Sequence, residues 1–404
     1  MLEVLLCQKF LPEHGGTVRW MYEAYRRWPR PVEVVTHNYY DYPPRTPSFP
    51  HQPERPESGD HASHPNLILD RRDIFLHNWG FDKPSRIIRY GRMMQAVKER
   101  LDRKPHQTVR VHCIHAVPEA ASLWPLKKIY GKRLQVVSYA HGEEITACTS
   151  SRQLKFLMLR AHSIVDLMLA NSRYTQNVAR DYIDPAKIRI INPGVDISEF
   201  AQAPELGRAW REKNGYQNRR IVMTLGRLDG RKNHRAVLEA VGQLASRYPD
   251  LLYILAGEGG MKESLQKRAA ELNLQDRVIF TGSIDGQLKL ALYGGCDVFA
   301  MPAIRDGTDV EGFGMVFLEA GACGKPVIAG IEGGQPDAVS HEQTGLLVDG
   351  TNQQQVTEAL DRLLADAALR QRLGDQGKAW AQRFDWPQIV ERTVEVINAT
   401  LPGD

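Results

Sequence analysis

Two series of short apolar runs, each run followed by a helical pattern, constrain this chain more than any other feature. The first comprises LEVLLC, VEVVTH, VRVHCIHA, LQVVSYAHG, VDLMLANS and IRIINPG, and the second RRIVMTLGRL, LLYILAGEG, RVIFTGSI, DVFAMPA and KPVIAG. Near-continuous apolar strands separated by helices form parallel sheets covered on both faces. Each half therefore reads as a doubly wound α/β domain, and two such sheets facing across a cleft is the expected architecture. At 404 residues there is enough chain for two cores. The polar stretch between the series, near residues 197–218, is the expected boundary. It gives an N-terminal domain over 1–200 and a C-terminal one over 201–384.

Composition removes several classes. No apolar run approaches the ~20 residues of a membrane span. The opening MLEVLLCQKF has no basic start before its apolar stretch and reads as a strand, not a signal peptide. The five cysteines are scattered and form no C-x-x-C pair, which argues for reduced thiols in a cytosol and against structural zinc. Residues 41–66 hold seven prolines and almost no apolar content, so they read as a mobile insertion or lid.

Charge is uneven. Residues 1–200 carry 29 Lys and Arg against 21 Asp and Glu, whereas 201–404 carry 23 against 27. Much of the excess lies in 83–104, where Ile87, Tyr90, Met94, Val97 and Leu101 recur at helical spacing among basic residues that include Arg86, Arg89 and Arg92. This is a basic amphipathic helix. It is either a solvated face or a docking surface for an anionic lipid or acidic acceptor. Without interleaved aromatic platforms or a recognisable motif, nucleic acid is not expected.

Chemistry concentrates at the carboxyl ends of the expected strands, where open α/β sheets bind ligands. Gly15-Gly16 after the first strand is either a tight turn or a backbone approach to phosphate at a helix start. Arg227 and Lys232, in TLGRLDGRKNH, suit a diphosphate if they are more than a basic turn. Glu311 precedes the turn Gly312-Phe313-Gly314, and Glu319 follows on the next helix; carboxylates accept from sugar hydroxyls, and amides at a glycine turn suit phosphate or sugar oxygen. Asp306 and Asp309 read as loop carboxylates, so no metal is expected.

Taken in order, GGT, SYAHGEE, ANSRYT, INPGVD, LGRLDGRKNH, LAGEG, TGSI and DVEGFGMVFLEA resemble the GT-B glycosyltransferases of family 4, a retaining group, over residues 14–337. Within it, Asp309-Val310-Glu311-Gly312 is most similar to the phosphatidylinositol mannoside mannosyltransferase branch. The resemblance implies that His141, Arg227, Lys232 and Glu311 serve the reacting centre. It also implies that Gly15, Gly16, Ser283, Ile284, Phe313, Gly314, Met315, Val316 and Glu319 bind the donor, and that the helix from 385 returns to the first domain. The basic helix 83–104 and the proline-rich insertion in turn suggest that Arg86, Arg89 and Arg92 lie on the acceptor or membrane side. On its residues alone, His141 is also a satisfied polar residue at a strand end. Asn171-Ser172-Arg173 fits the family's interdomain segment or a plain capped helix.

The function expected is metal-independent transfer of a hexose, mannose from GDP-mannose by preference, to a lipid-linked, glycolipid or saccharide acceptor. The site is cytoplasmic, at most peripheral to the inner membrane face, and the protein a monomer or homodimer. The alternatives are a UDP-sugar enzyme with a soluble acceptor and a non-catalytic nucleotide-sugar-binding subunit.

Overall fold

A computed structural model describes every residue except 43–53, 55, 57, 58, 285, 402 and 404. The chain forms two compact units, Met1–Pro193 with Trp386–Asp404, and Gly194–Asp385.

The first unit is a seven-stranded parallel sheet: β1 (Leu2–Cys7), β2 (Val32–His37), β3 (Leu67–Arg72), β4 (Val109–Cys113), β5 (Leu134–Ala140), β6 (Leu167–Ala170) and β7 (Ile188–Ile190), in the order β3-β2-β1-β4-β5-β6-β7. β1, β4 and β5 are almost wholly buried, as strands covered on both faces must be. The sequence series omits β3. Its LILDRR turns charged after three residues, as an edge strand can, and follows the proline-rich segment.

Of that segment, the described residues 59–66 fold rather than wander. Asp60 is ion-paired with Arg71 of β3, the Tyr40 hydroxyl is 2.9 Å from His61 Nδ1, and Ala62 is fully buried. Residues 43–53, 55, 57 and 58 of the expected lid lie outside the described residues.

Helix α1 (Gly16–Arg26) follows β1, and α2 (Pro84–Arg103) crosses from β3 to β4. The buried face of α2 carries Tyr90, Met93, Ala96, Val97 and Leu101. Ile87 is 55% exposed and Met94 only partly buried, because Met93, one position away, takes the core-facing side of the turn.

The last helix, Trp386–Thr400, lies with the first unit and is held there by Arg110. That guanidinium, in the centre of the sheet, donates to the Leu401 carbonyl at 2.5 Å, Asn398 Oδ1 at 3.1 Å, Gln135 Oε1 at 2.9 Å and Glu3 at 3.3 Å. Glu3 also receives His112 Nε2 at 2.8 Å. A buried cation is tolerable only when so fully bonded.

The second unit is a six-stranded parallel sheet, with β8 (Arg220–Leu225), β9 (Leu251–Ala256), β10 (Val278–Gly282), β11 (Val298–Met301), β12 (Val327–Gly330) and β13 (Gly345–Val348) in the order β10-β9-β8-β11-β12-β13. The sequence series omits β13, the edge strand Gly345–Val348. The expected polar boundary is also structured. Residues 197–214 contain the helices Ile197–Phe200 and Ala203–Asn214, and Gly207 packs backbone to backbone on Gly294 and Gly295. Polarity there marks a helix with one buried stripe, and the division falls earlier, after Pro193. Among the described residues no helix is long and apolar enough to cross a membrane.

Candidate functional site

In each sheet the strand order reverses beside the first strand, at β1/β4 and at β8/β11, which opens a crevice at the carboxyl ends of the strands. Gly15, His141, Lys232, Glu311 and Ser283 all follow the carboxyl ends of strands in these sheets.

In the first unit, Gly15 has φ 156° and ψ 159°, a region essentially closed to residues with a side chain, and α1 begins at the next residue. One turn on, the Trp20 ring stands edge-on to His141 at 5.3 Å between centroids. His141 follows β5 and is buried, its Nε2 3.2 Å from the Ile114 carbonyl oxygen. A carbonyl only accepts, so Nε2 carries the proton and Nδ1 is left as an acceptor. Burial, reinforced by neighbouring His115, pushes its pKa down to about 3, so the ring is neutral. Glu144 receives the His141 amide at 2.8 Å, and Asn171 Nδ2 donates to the His141 carbonyl at 3.3 Å. Asn171-Ser172 is thus a brace and a cap: Ser172 Oγ accepts the Thr175 amide at 3.2 Å.

Three neighbours of His141 escaped the sequence reading. His115, after β4, stands 5.2 Å from the His141 ring, and its Nδ1 is 3.7 Å from Glu119. Burial alone would lower the His115 pKa, but Glu119, with Glu144 and Glu143, raises it. Burial raises that of Glu144. One oxygen each of Glu119 and Glu144 is buried with no hydrogen-bond partner. Two adjacent histidines with oppositely displaced pKa values make a polar niche suited to hydroxyl groups. The IHAVPEA stretch was visible in the sequence, but only the fold brings it beside His141.

In the second unit, Glu311 is the centre. Arg231 donates to its Oε2 at 2.7 Å, Lys232 is ion-paired with the same oxygen, and Arg231 also meets Asp309 at 3.1 Å. Burial would raise the Glu311 pKa, but Lys232 and Arg231 hold it below its usual value, so it stays ionised. Lys232 sits just before the helix His234–Leu244, whose amino end adds positive potential. Its methylene stem lies over Gly226.

Arg227 lies outside this cluster; its side chain is 69% exposed and its Nε is 3.4 Å from Asp229. The buried second cation is Arg231, overlooked because it sits inside a run of basic residues. Asp309 lies in the loop before Glu311 and is paired there with Arg231.

After Glu311, Phe313 is buried and Gly314 has φ 91°, a left-handed turn whose missing side chain leaves room for the Phe317 ring. The helix Met315–Ala322 starts there. The Phe317 amide bonds back to Gly314, so Met315 and Val316 carry the first amides of the turn. Glu319, one turn further, accepts from Lys289 at 2.6 Å and from the Tyr293 hydroxyl at 2.8 Å. Ser283 and Ile284 follow β10, whose end is tied to the β9 loop by the Gly257 amide on the Gly282 carbonyl at 2.9 Å. Gln335, fully buried, staples this end of the sheet: its Oε1 accepts the Gly330 amide at 2.7 Å and its Nε2 donates to Ala303 at 2.9 Å.

Arg86 pairs with Asp82, and Arg89 and Arg92 both meet Asp73. The basic face of α2 is largely neutralised by its own unit.

A model of the family described as Glycosyltransferase Family 4 matches residues 14–199, and one described as Glycosyl transferases group 1 matches residues 208–380. The chain is 34% identical over 287 residues, covering 70% of itself and 75% of the relative, to a GDP-mannose-dependent alpha-(1-6)-phosphatidylinositol monomannoside mannosyltransferase of Mycolicibacterium smegmatis. It is a family 4 glycosyltransferase. The glycosyltransferase is also 31% identical, over 66% of its length and 70% of the relative, to a GDP-mannose-dependent monoacylated alpha-(1-6)-phosphatidylinositol monomannoside mannosyltransferase of Corynebacterium glutamicum. Its fold matches Anabaena HepE, solved in complex with UDP, with a TM-score of 0.76 at 20% identity over 99% of this chain and 100% of that one. The architecture is GT-B: two Rossmann-like domains, each with a parallel sheet.

Proposed function

We propose that the enzyme transfers mannose from GDP-mannose to a glycolipid or lipid-linked acceptor. The observation that carries this is the cluster of Arg231 and Lys232 on the ionised Glu311 at the start of the helix His234–Leu244, in a chain similar to GDP-mannose-dependent mannosyltransferases. Breaking the anomeric C–O bond leaves charge on a diphosphate, and fixed cations at a helix start stabilise it as it forms. Lys232 takes this role with Arg231 behind it, and the exposed Arg227 is free to swing onto the outer phosphate. Glu311, held ionised, accepts from sugar hydroxyls. The amides of Met315 and Val316 meet sugar or phosphate oxygens, Glu319 the ribose, and Ser283 and Ile284 the base.

In the first unit the neutral His141 offers Nδ1 to a sugar hydroxyl, and the niche of His115, Glu119 and Glu144 takes acceptor hydroxyls. The anomeric configuration is retained, the departing phosphate accepting the acceptor's proton. The protein's own cations serve the leaving group without a metal.

A thermal-shift panel of GDP, UDP, ADP and TDP, with and without magnesium, tests the donor. Saturating ligand at about 100 times its Kd adds roughly 2.7 kcal/mol. Stabilisation by GDP in EDTA supports the reading; selective stabilisation by UDP, or a strict need for magnesium, overturns it.

A further inference from the structure

The basic excess of the first unit is unevenly neutralised. On α2, Arg86, Arg89, Arg92, Lys98, Arg100 and Arg103 each meet a carboxylate. A second basic region behaves differently. Helices α3 (Trp124–Tyr130), α4 (Glu143–Thr149) and α5 (Arg152–Ile164) follow β4 and β5. Between Glu119 and Asp166 the only acidic residues are Glu143 and Glu144 at the start of α4, so α3 and α5 carry none.

Lys127 is taken by Asp166 at 2.6 Å and Arg133 by the carbonyls of Leu101 and Lys104. Lys128, Arg152, Lys155 and Arg160 have no ion pair among the described residues. Three of them lie on aromatic rings instead. Lys128 Nζ is 3.9 Å from the Trp124 centroid, and Arg160 lies 5.3 Å from Trp124 and 5.1 Å from Phe156. Lys155 lies 5.8 Å from Tyr182.

Beside these cations the same helices expose large apolar side chains: Ile129 is 71% exposed, Phe156 55% and Leu159 43%. On α5, Arg152, Lys155, Phe156, Leu159 and Arg160 recur at three- and four-residue steps and so share one face. Helices α3 and α5 pack on each other, which joins the two sets.

We propose that this α3–α5 face docks on an anionic lipid bilayer, with Ile129, Phe156 and Leu159 entering the headgroup layer and Lys128, Arg152, Lys155 and Arg160 on lipid phosphates. A plane of anions satisfies both halves of the surface at once: unpaired cations gain counter-charges, and the apolar side chains between them leave water. A second copy of the chain fits worse, since a two-fold contact would set these cations against themselves. The proposal goes beyond the donor reading and stands whatever the acceptor.

Vesicle flotation of the full chain tests it, with phosphatidylcholine alone and with phosphatidylcholine containing phosphatidylglycerol, at low and high salt. The protein floats with anionic vesicles only, and salt releases it. Phe156→Ser with Leu159→Ser, and separately Lys155→Glu with Arg160→Glu, lower vesicle affinity about tenfold or more, while reversal of Arg86, Arg89 and Arg92 leaves it unchanged. An unaltered melting temperature and GDP-induced shift in the α5 variants show that fold and donor site are intact. The proposal fails if the wild type ignores anionic vesicles, if the α5 variants float like wild type, if only reversal on α2 abolishes binding, or if the α5 changes merely convert a dimer to a monomer.

Discussion

Arg231 and Glu311, eighty positions apart, meet at 2.7 Å, and both side chains are almost wholly withdrawn from solvent. Lys232 shares the same carboxylate oxygen. A carboxylate held between two cations is a fixed piece of electrostatics, poised before substrate arrives.

Removing that carboxylate charge leaves two cations partly buried and uncompensated. Glu311→Gln is expected to lose about 3 kcal/mol of stability, as breaking buried pairs does, and to lower turnover by a larger factor than its stability loss explains. Urea unfolding alongside turnover below the melting range separates the two. Because the folded pKa of Glu311 lies below its ordinary 4.5, its stabilisation is present above that pH and is lost as pH falls further, through the folded value.

Arg227 and Arg231 should separate in the same pair of assays. Arg227→Ala, at an exposed position, leaves the melting temperature within error and reduces turnover about tenfold or more. Arg231→Ala lowers both. Equal stability loss in the two variants contradicts the assignment of Arg231 as the buried partner.

Acid should destabilise the enzyme well before carboxylates titrate. His141 and His234 are pushed down to about 3 and His162 to about 4, in each case chiefly by burial, so the unfolded chain binds protons that the folded one refuses. Their stabilisation is whole above the ordinary histidine value of 6.5 and declines as pH falls from there toward 4. Each contributes a slope of up to about 1.4 kcal/mol per pH unit. His115, displaced upward, opposes them and loses its contribution as pH rises past 6.5. Denaturant midpoints at pH 7.5 and 5 show the net fall, and His234→Asn reduces it.

Arg110→Ala should free the last helix. Its loss leaves buried Glu3 with His112 as its hydrogen-bond partner and Leu401 without its guanidinium donor, for a cost of about 3 kcal/mol. Hydrogen exchange over 390–401 rises first.

Fold class was legible because buried parallel strands advertise themselves as unbroken apolar runs, and β3 escaped because an edge strand need not be apolar throughout. The site was legible where glycine and charge stand together, as at Gly314 and Lys232. It was not legible where a partner comes from far along the chain: nothing local distinguishes Arg231 from Arg227, and the distinction is made by Glu311. The same holds on the surface, where α2 has the more basic sequence, but Asp73 and Asp82 answer its charges while among the described residues those of α5 have no ion pair.

The most direct test supplies labelled GDP-mannose, in EDTA, with phosphatidylinositol mannoside vesicles as acceptor. The account predicts a mannosylated lipid and one GDP released for each transfer, both lost in Lys232→Ala. Transfer from a UDP-sugar instead, GDP release without a lipid product, or full turnover in Lys232→Ala would contradict it.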